Sequence, residues 1–343
     1  MPDLPPHDPR SGSAAAESAP VVSIRDLHVT YRTEGEPIPA VRGVSLDLYP
    51  GEILALVGES ASGKSTVGHS ILGLLPGSAR SSGDVLYQGR SIAAMTTDEL
   101  RHVRGRRIAV IFQDALAALT PTMTVGEQMS EPFRIHLGMD HKQSIEASRK
   151  VLAGILPDVD RIIDAYPFQL SGGMAQRVMI AMATALEPNV IVADEPTANL
   201  DPALRQETLA RLETFRDGGA AVLLITHDFG VVARYADRVN VMYAGRILEE
   251  ADVRTTFRAP KHPYTFGLLQ SLPGLADRGR LTPMRGNPPD LATLPPECPF
   301  LPRCNKGIGR CRTEPAPALT PVEDSTEGHR VACYNPMAVP FRD

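Results

Sequence analysis

Apolar residues fall along this chain in two rhythms: short unbroken runs, and runs spaced by three and four. Ile53–Val57, Val190–Ala193 and Ala221–Ile225 are unbroken, the pattern of strands buried on both faces. Val67, Ile71, Leu72 and Leu75 recur at helical spacing just after Lys64. Val21 to Arg32 and Val41 to Leu48 read as paired strands, broken by the turn-rich Thr33–Pro37. Asp84–Tyr87, between Gly83 and Gly89, and Arg107–Phe112 add two short strands. From Val125 to about Ala185 the pattern is mostly helical, clearest over Ser144–Leu156 and Ser171–Leu186, and Leu204–Phe215 is an amphipathic helix. Past Val253, helical patches run to Leu272 and give way to a Pro-rich, loop-like stretch. The order predicts an α/β core with a largely parallel sheet and a helical insertion in its middle.

Composition narrows the possibilities. The 343 residues suffice for one large α/β domain and an appendage. A net charge of −5 gives no global electrostatic case for nucleic acid as a partner. No apolar run reaches membrane-spanning length. Met1–Pro20 is rich in Pro, Ser and Ala, lacks the basic start and apolar centre of a signal peptide, and is expected to be a disordered leader. A cytosolic setting follows, in which the four cysteines are not expected to form structural disulfides.

Gly58 to Ser65 read Gly-Glu-Ser-Ala-Ser-Gly-Lys-Ser, a full match to the phosphate-binding P-loop, G-x-x-x-x-G-K-S/T. A buried-type strand precedes it and a helix follows. Glycine lets backbone N–H groups close around phosphate oxygens, and the helix N-terminus adds a favourable dipole. Gly58, Ser60, Ser62, Gly63, Lys64, Ser65 and Thr66 are the candidate nucleotide contacts. Lys64 would reach the β- and γ-phosphates, and the Ser65 hydroxyl would ligate Mg²⁺.

Further motifs follow in order. Val190–Glu195 is an apolar strand ending in two acids; Leu170–Met174 places a capping serine and two glycines at a helix start; Gln113 ends a strand; Asn199-Leu200-Asp201 follows the acids; His227 follows another strand. Together with the P-loop, over roughly Val21 to Leu272, this set resembles the ATP-binding cassette (ABC) ATPases. The resemblance implies a P-loop ABC ATPase core with an antiparallel β subdomain, a helical subdomain at about 115–185 and a C-terminal Cys/Pro-rich extension. It divides the chain into a leader (1–20), a nucleotide-binding domain (21–255) and the extension (256–343). It also implies roles. Asp194, Ser65 and Gln113 serve Mg²⁺, and Glu195 is the carboxylate that orients and deprotonates water. His227 contacts the γ-phosphate, and Tyr31 stacks on adenine. Ser171, Gly172 and Gly173 serve ATP held by another subunit, and Asp201 belongs to a loop crossing that interface.

Arg106–Asp114, Gly173–Met182, Lys261-His262-Pro263-Tyr264-Thr265 and the tail around Cys298–Cys304 resemble the peptide/nickel importer ATPases, the first (D-type) of their two ATPase subunits. That likeness implies a heterodimer with a second ATPase, two membrane permeases, an extracytoplasmic binding protein and a place on the cytoplasmic face of the membrane. Di- or oligopeptides are the expected cargo. Nickel or a metal chelate, and a non-transport ABC role, stay open. Two stretches depart from the usual pattern: Asp114–Pro121, where the ATPase meets its membrane partner, and Asn199, where Ala is common.

Cys298, Cys304, Cys311 and Cys333 lie in the Pro-rich tail at intervals wider than the tight pairs usual for zinc. Such spacing suits an iron–sulfur cluster, and the resemblance implies a 4Fe-4S cluster. Zn²⁺ and free thiols are the alternatives. Because the tail lies outside the ATP motifs, a Cys→Ser change at any one of the four is expected to loosen the tail and change nucleotide binding little.

Overall fold

The computed structural model describes residues 19–198, 200–272, 284–323, 325–326 and 328–338. All but the last two residues of the expected leader, and Asn199, lie outside them. The chain divides into two compact units, one from 1–93 with 225–343 and one from 94–224.

In the first unit, β1 (Val22–Tyr31) and β2 (Ile38–Leu48) pair antiparallel from Val22 opposite Leu48 to Tyr31 opposite Ile38. β3 (Ile53–Val57) is buried at every residue and leads through the glycine-rich loop into α1 (Lys64–Ile71). β4 (Ala79–Tyr87) lines the other edge of β1, and β5 (Arg90–Ser91) completes the order β2-β1-β4-β5. β4 starts five residues before the apolar run Asp84–Tyr87. Its polar first half, Ala79–Gly83, shows no strand pattern in sequence and pairs with β1 through backbone alone.

The second unit runs α2 (Thr97–Val103), β6 (Ile108–Ile111), α3 (Ala115–Ala118), α4 (Val125–Leu137), α5 (His141–Ala153), α6 (Val159–Ile163), α7 (Gly172–Thr184), β7 (Val190–Asp194), α8 (Pro202–Asp217) and β8 (Ala221–Thr226), which crosses its boundary. β6 and β7 pair in parallel, Ile108 opposite Val190 through Ile111 opposite Ala193. Caps set the helix starts. Thr124 Oγ1 accepts from Glu127 N at 3.2 Å, and Glu127 Oε2 accepts from Thr124 N at 2.7 Å. The same box, Asp140 with Gln143, starts α5 three residues before Ser144.

The first unit resumes with α9 (Phe229–Tyr235), β9 (Arg238–Tyr243), β10 (Arg246–Asp252), α10 (Val253–Arg258), α11 (Pro263–Gln270), α12 (Arg310–Thr313), β11 (Thr320–Pro321) and β12 (Arg330–Val331). β9 lies parallel to β3, and the order is β11-β12-β10-β9-β3. The extension is therefore stitched into this sheet. Its anchor is Glu249 on β10, fully buried. The Glu249 carboxylate accepts from Lys261 N at 2.6 Å and His262 N at 2.9 Å, and meets His329 Nε2 at 2.9 Å. A buried carboxylate survives only with such a set of partners. Among the described residues, no helix is long and apolar enough to cross a membrane.

Candidate functional site: a P-loop, paired carboxylates and a thiol cavity

The P-loop is shaped by two glycines. Gly58 and Gly63 have φ of +156° and +100°. A Cβ on Gly58 would stand 2.1 Å from Met242 O, and one on Gly63 would stand 2.2 Å from Ala40 O. Only glycine fits both places, so the loop presses its backbone against β2 and β9. Lys64, at the start of α1, is buried. Its Nζ donates to Gly58 O and Glu59 O, both at 2.8 Å, and to Ser62 Oγ at 3.4 Å. The ammonium thus sits inside the loop's curve, where the sequence motif puts it. Thr66 Oγ1 lies 3.1 Å from the Tyr31 hydroxyl. That bond brings the expected adenine-stacking residue, half-exposed at the end of β1, to the P-loop helix. His227 is exposed at the end of β8. The turn beyond it is fixed by Asp228, whose N–H donates to Thr226 Oγ1 at 3.0 Å and whose carboxylate caps α9.

In the second unit, β7 delivers Asp194, buried, and then Glu195, half-buried with φ of +46°. A non-glycine residue held there carries strain of about 1 kcal/mol or more, a feature that gathers at working sites. Ser171 caps α7, accepting from Met174 N at 3.3 Å. Ser171 and Gly172 are exposed and Gly173 half-exposed. Gly173 has a steric duty as well: a Cβ there would lie 2.8 Å from Leu204 Cδ2 on α8. Asp201 caps α8, accepting from Ala203 N at 3.0 Å and Leu204 N at 3.1 Å. Gln113 is exposed after β6.

The four cysteines, none in a disulfide, line one cavity, with Phe300 and Lys306 among its other walls. Lys306 N donates to Cys304 Sγ and Asn335 N to Cys333 Sγ, each at 3.4 Å. Burial, and then the charges of the other three cysteines, push the Cys333 thiol up to about 11. Burial likewise raises Cys298 and Cys304. Several thiolates can coexist here only with a cation among them. Among the described residues, no group of three or more His, Cys, Asp or Glu is placed to hold a metal ion.

Comparison with known proteins shows the family. The ABC transporter profile matches residues 41–198, and the profile of the oligopeptide/dipeptide transporter C-terminal region matches 248–311. The dipeptide transport ATP-binding protein DppD of Bacillus subtilis is 44% identical over 324 residues, which are 92% of this chain and 94% of that protein. The chain belongs to the ABC transporter family, in its oligopeptide and dipeptide ATP-binding branch. The oligopeptide transport ATP-binding protein OppD of Mycobacterium bovis is 43% identical over 94% of this chain, which spans only 53% of that longer relative. Among solved structures, a dimeric ATP-binding cassette in a post-hydrolysis state, bound to ADP and Pi, is similar with a TM-score of 0.61. It is 31% identical, over 68% of this chain and all but 1% of its own.

Other residues of this ABC chain carry links that motif reading misses. Gln176 Nε2, buried, donates to Pro196 O at 2.9 Å, tying α7 to the turn after Glu195. Arg177 pairs with Glu207 at 2.8 Å, joining α7 to α8. The tail is also less separate than its sequence position suggests, because Arg303 reaches Glu59 inside the P-loop. That contact joins the tail to the P-loop. A polar residue at a motif's "x" position gives no signal of a partner 244 residues away.

Proposed function

We propose that the chain is the ATP-hydrolysing subunit that energises peptide import through an ABC transporter, paired with a second ATPase beneath two permeases at the cytoplasmic face of the membrane. An extracytoplasmic binding protein delivers the cargo in this reading. The observation that carries it is the Lys64 ammonium, buried within the glycine-shaped loop behind the fully buried β3. A compact cation at a helix N-terminus suits phosphate oxygens, for which Lys64 would exchange the carbonyls of Gly58 and Glu59.

The remaining roles follow. Ser60, Ser62, Gly63 and Thr66 surround the phosphates and Tyr31 packs on adenine. Ser65, Gln113 and Asp194 would hold Mg²⁺, which neutralises phosphate charge when bound. Glu195 orients the attacking water and takes its proton, and His227 donates to the γ-phosphate. Ser171, Gly172 and Gly173 serve the partner's ATP, with Asp201 at the same interface, so each ATP needs two subunits. The isolated chain is then expected to turn over ATP slowly, and co-expression with a second ATPase and permeases to raise the rate. Equal, concentration-independent turnover by the chain alone would refute the composite site. Stimulation of the assembly by a peptide-loaded binding protein, and not by a nickel-loaded one, supports the cargo; the reverse assigns a metal chelate.

For the tail, the reading is a cysteine-bound 4Fe-4S cluster. What supports it is four thiols lining one cavity at intervals wider than zinc pairs usually show. Anaerobically purified protein is expected to be brown, with iron and sulfide. Colourless protein with one zinc per chain would replace that reading.

A further inference from the structure

We infer that Arg303, on the cysteine-rich extension, is a positioning residue of the ATP site, holding the P-loop through Glu59. The inference rests on the reading of Gly58–Ser65 as the nucleotide loop and adds to it a residue outside every nucleotide motif.

Arg303 and Glu59 form a two-pronged pair. Nη1 lies 2.7 Å from Oε2, and Nη2 lies 2.9 Å from Oε1. The Arg303 side chain is 5% exposed, so solvent scarcely competes for it. The rest of the guanidinium is also engaged. Nε donates to Arg285 O at 3.0 Å, and Nη1 also donates to Tyr243 Oη at 3.3 Å. A planar fork with this many fixed partners has one orientation.

Glu59 is held as fully. Its N–H donates to Tyr264 Oη at 2.9 Å. Its carbonyl accepts from Lys64 Nζ at 2.8 Å and from Ser62 N at 3.3 Å. The carboxylate held by Arg303 therefore belongs to the residue whose carbonyl holds the phosphate-binding lysine. Shifting Glu59 moves a carbonyl in direct contact with Lys64. The link then runs back to the thiols. Phe300, 3% exposed, packs edge-on against Tyr243 with ring centres 5.4 Å apart and lies 5.3 Å from the Tyr264 ring. Phe300 also walls the cysteine cavity, and Cys304 follows Arg303 in the chain. The extension thus ends one side of the P-loop as β2 and β9 end the other.

Such a residue acts on binding geometry and touches no reacting atom. Its loss should appear in the nucleotide KM far more than in kcat. The test measures ATP KM and kcat of the assembled transporter carrying Arg303→Ala, Glu59→Gln, the exchanged pair Glu59→Arg with Arg303→Glu, or Lys64→Ala. Protease resistance of the extension reports its folding. Arg303→Ala and Glu59→Gln are each expected to raise KM about tenfold, with kcat within about twofold. The exchanged pair should recover most of the loss. Glu59→Gln keeps the shape of the loop and leaves the extension's sequence intact, so it decides the matter if Arg303→Ala loosens the tail. Wild-type KM in Glu59→Gln, or no recovery in the exchanged pair, overturns the inference. If Lys64→Ala weakens ATP binding and Glu59→Gln does not, the positioning role alone fails. If neither does, the nucleotide-loop reading fails with it.

Discussion

The P-loop and the cysteine-rich extension meet at Glu59, and their shapes come from different physics. The P-loop is a backbone object. Gly58 and Gly63 adopt conformations, and accept approaches of 2.1 and 2.2 Å to a would-be Cβ, that no other residue tolerates. Among its described residues the extension has little regular structure past Gln270. It is a side-chain object, held by Glu249 against His329, by Arg303 against Glu59 and by Phe300 among two tyrosines. One region is specified by residue types at fixed spacing, the other by charges that meet across long stretches of chain. The first should fail when a methyl group is added, the second when a charge is removed.

The largest effect is expected in the extension. Glu249→Ala leaves His329 and two backbone N–H groups buried without their acceptor, a loss of about 3–5 kcal/mol. Limited proteolysis should cut the tail while the nucleotide core stays resistant; an equally resistant tail would deny Glu249 its anchoring role.

The next effect is one of pH. Burial holds His262 down at about 4. Folded His262 is thus neutral where an unfolded histidine takes up a proton. Its contribution is whole above about pH 6.5 and is lost as pH falls through 4, by roughly 3 kcal/mol in all. Chemical denaturation at pH 7 and pH 5 should show stability dropping at the lower value, with a smaller drop in His262→Asn. An identical drop in both would place the titration elsewhere.

In the P-loop, Gly63→Ala should cost about 1–3 kcal/mol through its positive φ, and more because the added Cβ would stand 2.2 Å from Ala40 O, with an added loss of ATP affinity because Lys64 follows directly. Unchanged affinity, read by titration with a fluorescent ATP analogue, would mean the loop adjusts freely. The smallest effect is expected in the second unit. Thr124→Ala removes the α4 cap and should cost about 1 kcal/mol in the same denaturation assay without touching nucleotide affinity.

The same contrast explains what the sequence shows. Strand β3, the glycines, Lys64 and the acids at the end of β7 are readable because each residue type answers a local demand. The box Thr124-x-x-Glu127, and its counterpart at Asp140, are readable too, and mark helix starts that apolar periodicity alone places late or leaves vague. Arg303 with Glu59 and Glu249 with His329 are not, since each pair is a long-range meeting that only the folded sheet brings about. The first half of β4 is hidden for another reason: it pairs by backbone, which leaves no side-chain pattern.

ATP hydrolysis at a site completed by a second subunit stands or falls with Glu195→Gln. The measurement is the mass in solution of the variant, co-expressed with its second ATPase, with ATP and Mg²⁺ and without them. Loss of the water-activating carboxylate, with Asp194 kept, should leave ATP bound and unhydrolysed and hold the two ATPases together as a stable dimer. Rapid ATP turnover by this variant, or separate subunits at saturating ATP, would contradict the account.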